Sequence, residues 1–375
     1  MIYKQFQDKK ISALGMGCMR LPTDESGKID ENKVAEMFDY AIKHGINYFD
    51  TAWGYHGGQS EIVVGKTLKR YNRDQFYIAD KFPGYDLSNI GVGKTEEIFE
   101  KQLQKTGMEY FDFYLVHNVC EANIDGYLNR EYGMYEYLLK QKEKGRIRHL
   151  GFSGHGNMDT LTRFLDAYGE GMEFGQLQVN YVDWTFQQAE EKMALLKKHN
   201  LPVIVMEPVR GGKLATMAPH LEAKLKALRP DERVPGWAFR FLQTLPDVFV
   251  TLSGMSNFDQ LKENIATYEN EKPLTKTEWD TLQSVVQEMF GRMTPCTGCR
   301  YCTQYCPMEL NIPELLQLYN EHAFTGGGFI APMRLNAMPE NKRPSACLQC
   351  RACEAVCPQN IRISEAFADF TSRLQ

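Results

Sequence analysis

Short apolar runs alternate with stretches of helical period along the first 270 residues. The runs are "ALGMG", "INYFDTA", "QFYIAD", "FDFYLV", "IRHLGFS", "GQLQVN", "PVIVME" and "DVFVTLS", each of strand length. Between the first two, "ENKVAEMFDYAIKHG" places Val34, Met37, Phe38, Ala41 and Ile42 on one stripe and stops at Gly45, the pattern of an amphipathic helix. Strand and helix alternating in this way predict parallel strands joined by crossover helices. Eight such units of roughly 30 residues each, with no extra helices to cover a second sheet face, predict a closed (β/α)8 TIM barrel over residues 1–272.

The pattern then changes. "TKTEWDTLQSVVQEMF" opens with Thr275 and Glu278 at capping-box spacing and lines up Trp279, Leu282, Val285, Val286 and Met289, predicting a docking helix. It is followed by "CTGCRYCTQYCP" from Cys296 and "CLQCRACEAVCP" from Cys347. Cys296, Cys299, Cys302 and Cys306 recur 51 residues on as Cys347, Cys350, Cys353 and Cys357, and Arg300, Ile312 and Glu314 recur as Arg351, Ile363 and Glu365. Between the runs, "IPELLQLYNEHAF" reads as a helix ended by the glycines of "TGGGF", and the tail after Pro358 reads as helical. Residues 273–375 are therefore expected to form a docking helix and a small, mostly helical, ferredoxin-like domain.

The cysteine spacing CxxCxxCxxxCP, twice over, is that of ligands for two [4Fe-4S] clusters. A disulfide framework would need an oxidising compartment, and structural zinc favours two separated cysteine pairs over four cysteines in so short a run. The proline after each fourth cysteine turns the chain away from its own three ligands, so crossed ligation is expected. Cys296, Cys299, Cys302 and Cys357 would hold one cluster, and Cys347, Cys350, Cys353 and Cys306 the other. Cys18 and Cys120 lie outside both runs and read as small buried side chains.

Composition narrows the classes of function. With 43% hydrophobic and 24% charged residues and a net charge of -5, the 375-residue chain is ordinary globular material and does not invite nucleic acid. The N-terminal "MIYKQFQDKKISALGMGCMR" has no apolar core of a signal peptide, and no apolar run is long enough to span a membrane. A cytoplasmic protein is the expectation. "GVGKT" at Gly91 lacks the preceding glycine of a phosphate loop.

In a barrel of this kind chemistry gathers where strands end at the C-terminal face. Asp50 ends the second strand run, Tyr55 follows it, Lys81 ends the third and His117 the fourth. Neighbouring strands should bring them to one wall of the mouth. An ammonium at Lys81 would lower the pKa of the Tyr55 phenol, Asp50 would hold that ammonium, and His117 could donate a hydrogen bond to a carbonyl oxygen. Such a group suits carbonyl reduction, in which oxygen gains negative charge as hydride reaches carbon.

At these residues the sequence resembles the aldo-keto reductase family. "FDTAWGYHGGQSEIVVGKTL", "IADKF" and "YFDFYLVH" are similar to its aspartate-tyrosine, lysine and histidine segments, and "GFSG", "LQVNY", "EPVRGG" and "GMSNFDQLKEN" follow in the family's order. The resemblance implies NAD(H) or NADP(H) bound extended across the mouth, with Tyr55 as general acid/base, Asp50 and Lys81 in support and His117 orienting the substrate. It places Ser153 and Gln178 at the nicotinamide carboxamide, and Gly254, Ser256, Gln260, Glu263 and Asn264 along the adenosine and phosphates. Met206 stands where many members stack an aromatic residue on the nicotinamide, and Gly154 where asparagine often follows the serine. Asn257 stands where many carry an arginine for the 2'-phosphate, with Lys262 the nearby basic residue, so NAD is slightly favoured. The expected function is interconversion of a small carbonyl compound and an alcohol, with the iron-sulfur clusters exchanging electrons with a partner protein or supporting the fold. The other reading is an electron-transfer or redox-sensing protein whose barrel binds a nucleotide or partner with little turnover. The complete set of Asp50, Tyr55, Lys81 and His117 favours the enzyme.

Overall fold

The computed structural model describes residues 1–291, 293–296 and 298–375. The chain divides into two units, Met1–Leu282 and Gln283–Gln375.

The first unit opens with an antiparallel hairpin, β1 (Tyr3–Phe6) and β2 (Lys9–Ser12). Eight parallel strands follow: β3 (Leu14–Gly17), β4 (Tyr48–Asp50), β5 (Tyr77–Phe82), β6 (Phe111–Val119), β7 (Ile147–Gly154), β8 (Phe174–Gln178), β9 (Val203–Met206) and β10 (Val248–Ser253). They close into a barrel in sequence order, with β10 paired to both β9 and β3. All eight expected strands are present, as the apolar runs predicted. Each is followed by an outer helix: α1 (Glu31–Lys43), α2 (Ser60–Leu68), α3 (Lys94–Thr106), α4 (Met134–Glu143), α5 (Met158–Tyr168), α6 (Ala189–Lys198), α7 (Val234–Gln243) and α8 (Phe258–Thr267). In α1 the buried side chains are Val34, Met37, Phe38 and Ala41, four of the five residues of the expected stripe, and Ile42 is half-buried.

The hairpin gave no signal in the sequence, because its two strands have only four residues each and expose polar side chains. Its role is to plug the barrel. Phe6 stacks on Phe249 with ring centroids 4.8 Å apart and lies 5.4 Å from Phe113 and 6.3 Å from Phe174, near the strands' N-terminal ends. Ile11, Tyr48, Ile204 and Val250 complete this apolar plug. The opposite mouth, where the strands end, is left for chemistry.

Helix α9 (Lys276–Phe290) begins as the capping box predicts: Thr275 N–H donates to Glu278 Oε2 at 2.7 Å, and Glu278 N–H to Thr275 Oγ1 at 3.3 Å. Arg229 adds a two-pronged ion pair to Glu278, with Nε–Oε1 at 2.5 Å and Nη2–Oε2 at 2.8 Å. Trp279 stacks on Phe241 of α7 with centroids 4.9 Å apart. The Arg229 guanidinium, against the opposing pull of burial, holds the Glu278 carboxyl down at about 2. A folded-state pKa below the unfolded one contributes stability above the unfolded value of about 4.3, and that contribution is lost as pH falls toward 2. Glu278→Ala should therefore cost about 1–2 kcal/mol at pH 7, the scale of a lost cap. Urea melts at a series of pH values check it: the difference from wild type should shrink below about pH 3.

In the second unit, α10 (Ile312–Thr325), α11 (Ile330–Asn336) and α12 (Ile363–Arg373) enclose a core of Leu310, Leu315, Leu316, Leu318, Phe367 and Phe370. Helix α10 ends at Gly326, whose φ of 65° is the left-handed conformation expected of a terminating glycine. No helix among the described residues is long and apolar enough to cross a membrane.

Candidate active site and thiol-lined cavities

Three successive strands carry the candidate acid-base group. Asp50 is the last residue of β4, Lys81 lies on β5 and His117 lies near the end of β6. Tyr55 sits in the turn between β4 and α2, which reverses sharply: His56, Gly57 and Gly58 have φ of 52°, 62° and 86°. Glycine adopts that conformation at 57 and 58 without the cost a side chain brings. Gly54 has a different constraint, because a Cβ there would meet the Tyr85 hydroxyl at 2.2 Å.

The structure brings all four residues together. Lys81 is fully buried, and its Nζ donates to Asp50 Oδ1 at 2.6 Å, to the Thr51 carbonyl at 2.7 Å and to Tyr55 Oη at 3.4 Å. The His117 ring lies 6.2 Å from the Tyr55 ring, edge to face, and 5.2 Å from that of Tyr85. Burial pulls the Lys81 ammonium down, but Asp50 and the Tyr55 phenol outweigh it and its pKa is raised. Burial together with Lys81 holds His117 well below its ordinary range, so it is a neutral imidazole near pH 7.

Lys81 does pull the Tyr55 phenol down as expected, but the net shift is upward. Burial pushes the phenol up, Lys81 only partly offsets it, and the net value is about 12. A single ammonium at 3.4 Å does not compensate for removing a phenolate from water.

Behind Lys81 lies a buried polar network that no sequence motif signalled. The Gln102 amide of α3 donates to Asp80 Oδ1 at 2.9 Å, to Glu61 Oε1 at 3.0 Å and to the Lys81 carbonyl at 3.0 Å. Lys105 pairs with Glu61 and lies 4.4 Å over the Trp53 ring, joining this network to the turn that carries Tyr55. Burial, with Glu61 beside it, raises Asp80 well above the usual carboxyl range.

The residues expected to hold the dinucleotide extend round the rest of the mouth. Ser153 near the end of β7 accepts a hydrogen bond from Asn118 N–H at 2.8 Å, which leaves its own proton to donate. Gln178 ends β8 beside Met206, which ends β9. Gly254 follows β10, and a Cβ on it would meet Arg20 at 3.2 Å. Ser256 Oγ donates to the Arg20 carbonyl at 2.8 Å, and its N–H donates to Gln260 Oε1 at 2.8 Å. Asn264 turns inward to Ser253 Oγ at 3.0 Å, so its amide is committed within the fold. Glu263 pairs with Arg233. These last two residues line a cavity of about 580 Å³ with Arg229, Arg240 and Lys272, to which none of the four acid-base residues contributes.

In the second unit the thiols sort themselves across the repeat. One small cavity is lined by Cys296, Cys299, Cys302 and Cys357, and another by Cys306, Cys347, Cys350 and Cys353. The backbone repeats as well: Gly298, Arg300 and Glu309 have φ of 69°, 63° and 50°, and Gln349, Arg351 and Asn360, 51 positions on, have 54°, 59° and 53°. Such conformations are uncommon outside glycine, and their recurrence marks a shared structural requirement. Cys306 Sγ accepts Leu310 N–H at 3.5 Å and Cys347 Sγ accepts Gln349 N–H at 3.4 Å. Among the described residues no three histidine, cysteine or acidic groups are placed to hold a single metal ion. Four thiols around a space of their own suit a cluster instead.

Comparison with known proteins agrees with both units. The model of the aldo/keto reductase family matches residues 13–287, and that of the 4Fe-4S dicluster domain residues 295–361. An uncharacterized oxidoreductase, YqkF of Bacillus subtilis, is 26% identical over 306 residues, covering 74% of this chain and 93% of that protein. The NADH-specific methylglyoxal reductase of Escherichia coli is 24% identical over 302 residues, covering 69% and 90%. Among solved structures, the holo form of aldo-keto reductase AKR11C1 from Bacillus halodurans superposes with a TM-score of 0.61 at 27% identity, covering 76% of this chain and 96% of that one. Because the family match runs through every barrel strand rather than resting on a single motif, the chain belongs to the aldo/keto reductase family.

Proposed function

We propose that the protein interconverts a small carbonyl compound and an alcohol with a nicotinamide dinucleotide, Tyr55 serving as general acid/base. The observation that carries this reading is Lys81 Nζ held between Asp50 and the Tyr55 hydroxyl in a site that excludes water from the ammonium. The bound dinucleotide supplies or accepts the hydride. Tyr55 gives its proton to the oxygen that becomes negative, a step favoured by the greater basicity of an alkoxide over a phenolate. The neutral His117 orients that oxygen by hydrogen bonding, and Lys81 steadies the phenolate left on Tyr55. Ser153, Gln178 and Met206 would meet the nicotinamide end, and Gly254, Ser256 and Gln260 the phosphates. Glu263 and Asn264 would meet the adenosine end at the outer cavity.

NADH should bind at least as tightly as NADPH. The Asn257 side chain caps α8 by accepting Gln260 N–H at 2.9 Å, and Lys262 lies over the Phe258 and Tyr40 rings at 5.6 and 5.9 Å. Neither offers the bidentate partner that favours a 2'-phosphate. Fluorescence titration with both nucleotides checks this. A strong preference for NADPH would assign the phosphate to Lys262 or to Arg233 of the outer cavity.

The second unit is proposed to hold two [4Fe-4S] clusters, ligated across the repeat by the two thiol sets described above. They would exchange electrons with a partner protein or stabilise the fold. A cytoplasmic location accords with ten cysteines none of which is paired in a disulfide.

A further inference from the structure

We infer that Asp183 is a positioning residue that fixes which end of the Gln178 amide faces the mouth, and thereby selects a carboxamide over other substituents on the cofactor's pyridine ring. The inference rests on the reading of the mouth as a dinucleotide site. No motif drew attention to Asp183, which follows the end of β8 in "NYVDW".

Asp183 is fully buried and surrounded by donors. Its Oδ2 accepts the Gln178 amide N–H at 2.8 Å and the Asn180 amide N–H at 2.6 Å, and Arg210 Nε reaches Oδ1 at 3.1 Å and Oδ2 at 3.0 Å. Asn180 is itself tied down, donating to the Glu207 carbonyl at 3.0 Å and accepting Val182 N–H and Asp183 N–H at 3.1 and 2.9 Å. A carboxylate only accepts hydrogen bonds, so Gln178 must turn its NH2 toward Asp183. The consequence is on the other atom. Gln178 Oε1 is buried and has no hydrogen-bond partner among the described residues. A buried acceptor left in that state is costly, and a ligand N–H donor arriving there relieves the cost. The site therefore presents a fixed acceptor at Gln178 and a free hydroxyl donor at Ser153 on the adjacent strand, complementary to the N–H and C=O of a primary amide.

The charge of Arg210 extends the argument to a specific variant. The Oδ2 place accepts from Gln178, Asn180 and Arg210 together, so an asparagine at 183 would keep its oxygen there, whereas Asp183→Leu with Arg210→Met removes the acceptor and the buried guanidinium together. The Gln178 amide is then free to present either end to the mouth. The preference for a donor on the ligand should disappear.

The probes are NAD and its 3-acetylpyridine analogue, in which a methyl replaces the carboxamide NH2. Binding of both to full-length protein is measured by fluorescence titration, with no turnover required. Wild type should bind NAD about tenfold or more tightly than the analogue, the scale of one buried acceptor left unpaired. In Asp183→Leu with Arg210→Met this ratio should fall to about threefold or less. If that variant does not fold, Asp183→Ser with Arg210→Met places a hydroxyl that donates as well as accepts, and the ratio should fall likewise because nothing then fixes the Gln178 amide. An unchanged ratio, with both ligands weakened equally, would show that Asp183 only supports the loop and would overturn the inference. Wild type that binds neither compound would instead overturn the dinucleotide reading on which the inference stands.

Discussion

Tyr55→Phe should bind the dinucleotide as wild type does and lose carbonyl reduction by at least about 100-fold, the usual scale for a positioned acid. The substitution removes one hydroxyl at the turn and keeps the ring that packs beside His117. The lost function is proton delivery to the oxygen as hydride arrives, for which the described geometry offers no equally placed substitute: Lys81 is buried and committed to Asp50 and Thr51. The pH dependence should differ between directions. With the phenol raised to about 12 by burial, Tyr55 is protonated throughout the neutral range, so reduction should be nearly flat from about pH 6 to 9. Alcohol oxidation needs the phenolate, and its rate should climb with pH over the same interval. Steady-state rates on any accepted substrate pair check both statements. An unchanged rate in Tyr55→Phe would remove Tyr55 from the acid's role.

Cys306→Ser should abolish the cluster associated with the second cysteine run while sparing the other, with about half of the iron lost and the second unit loosened as a whole. Its thiol lies with Cys347, Cys350 and Cys353 around one cavity, whereas Cys357 joins Cys296, Cys299 and Cys302 around the other. Each cavity thus draws on both halves of the repeat, and neither half can complete its own ligand set. Anaerobic iron analysis and EPR of the reduced protein, compared with Cys347→Ser and Cys296→Ser, give the decision. Crossed ligation requires Cys306→Ser to lose the same signal as Cys347→Ser. Loss of the signal missing from Cys296→Ser would contradict it.

The barrel was legible because each of its strands is a compact apolar run set between polar, turn-forming segments. Runs such as "PVIVME" carry that signal without help from neighbours. The hairpin that closes the other end was not, since "YKQF" and "KKIS" alternate too briefly to stand out and owe their conformation to Phe6 packing in the barrel. Asp50, Lys81 and His117 could be placed at one wall because strand ends in such a barrel converge. Their electrostatics could not, because the Tyr55 shift depends on how far the phenol is removed from water, which spacing does not encode. Asp183 and Arg210 escaped for a related reason. Each is an ordinary polar residue in a loop, and only the fold reveals that they meet in the interior beside Gln178. The thiol sets were the most legible: the repeat marked eight cysteines and the prolines after the fourth of each run predicted the crossing, and in the folded chain Cys357 and Cys306 line the cavities of the opposite runs.

Hydride transfer between nicotinamide and a carbonyl carbon in the barrel is read out by label from 4-deuterated NADH, both stereoisomers, offered with a panel of small aldehydes and ketones, with the alcohol examined by NMR and the clusters followed by absorbance under anaerobic conditions. One deuterium is expected on the carbinol carbon, from one stereoisomer only, with cluster absorbance unchanged during turnover. Oxidation of NADH that bleaches the clusters and yields no labelled alcohol would contradict it and identify the protein as an electron-transfer module.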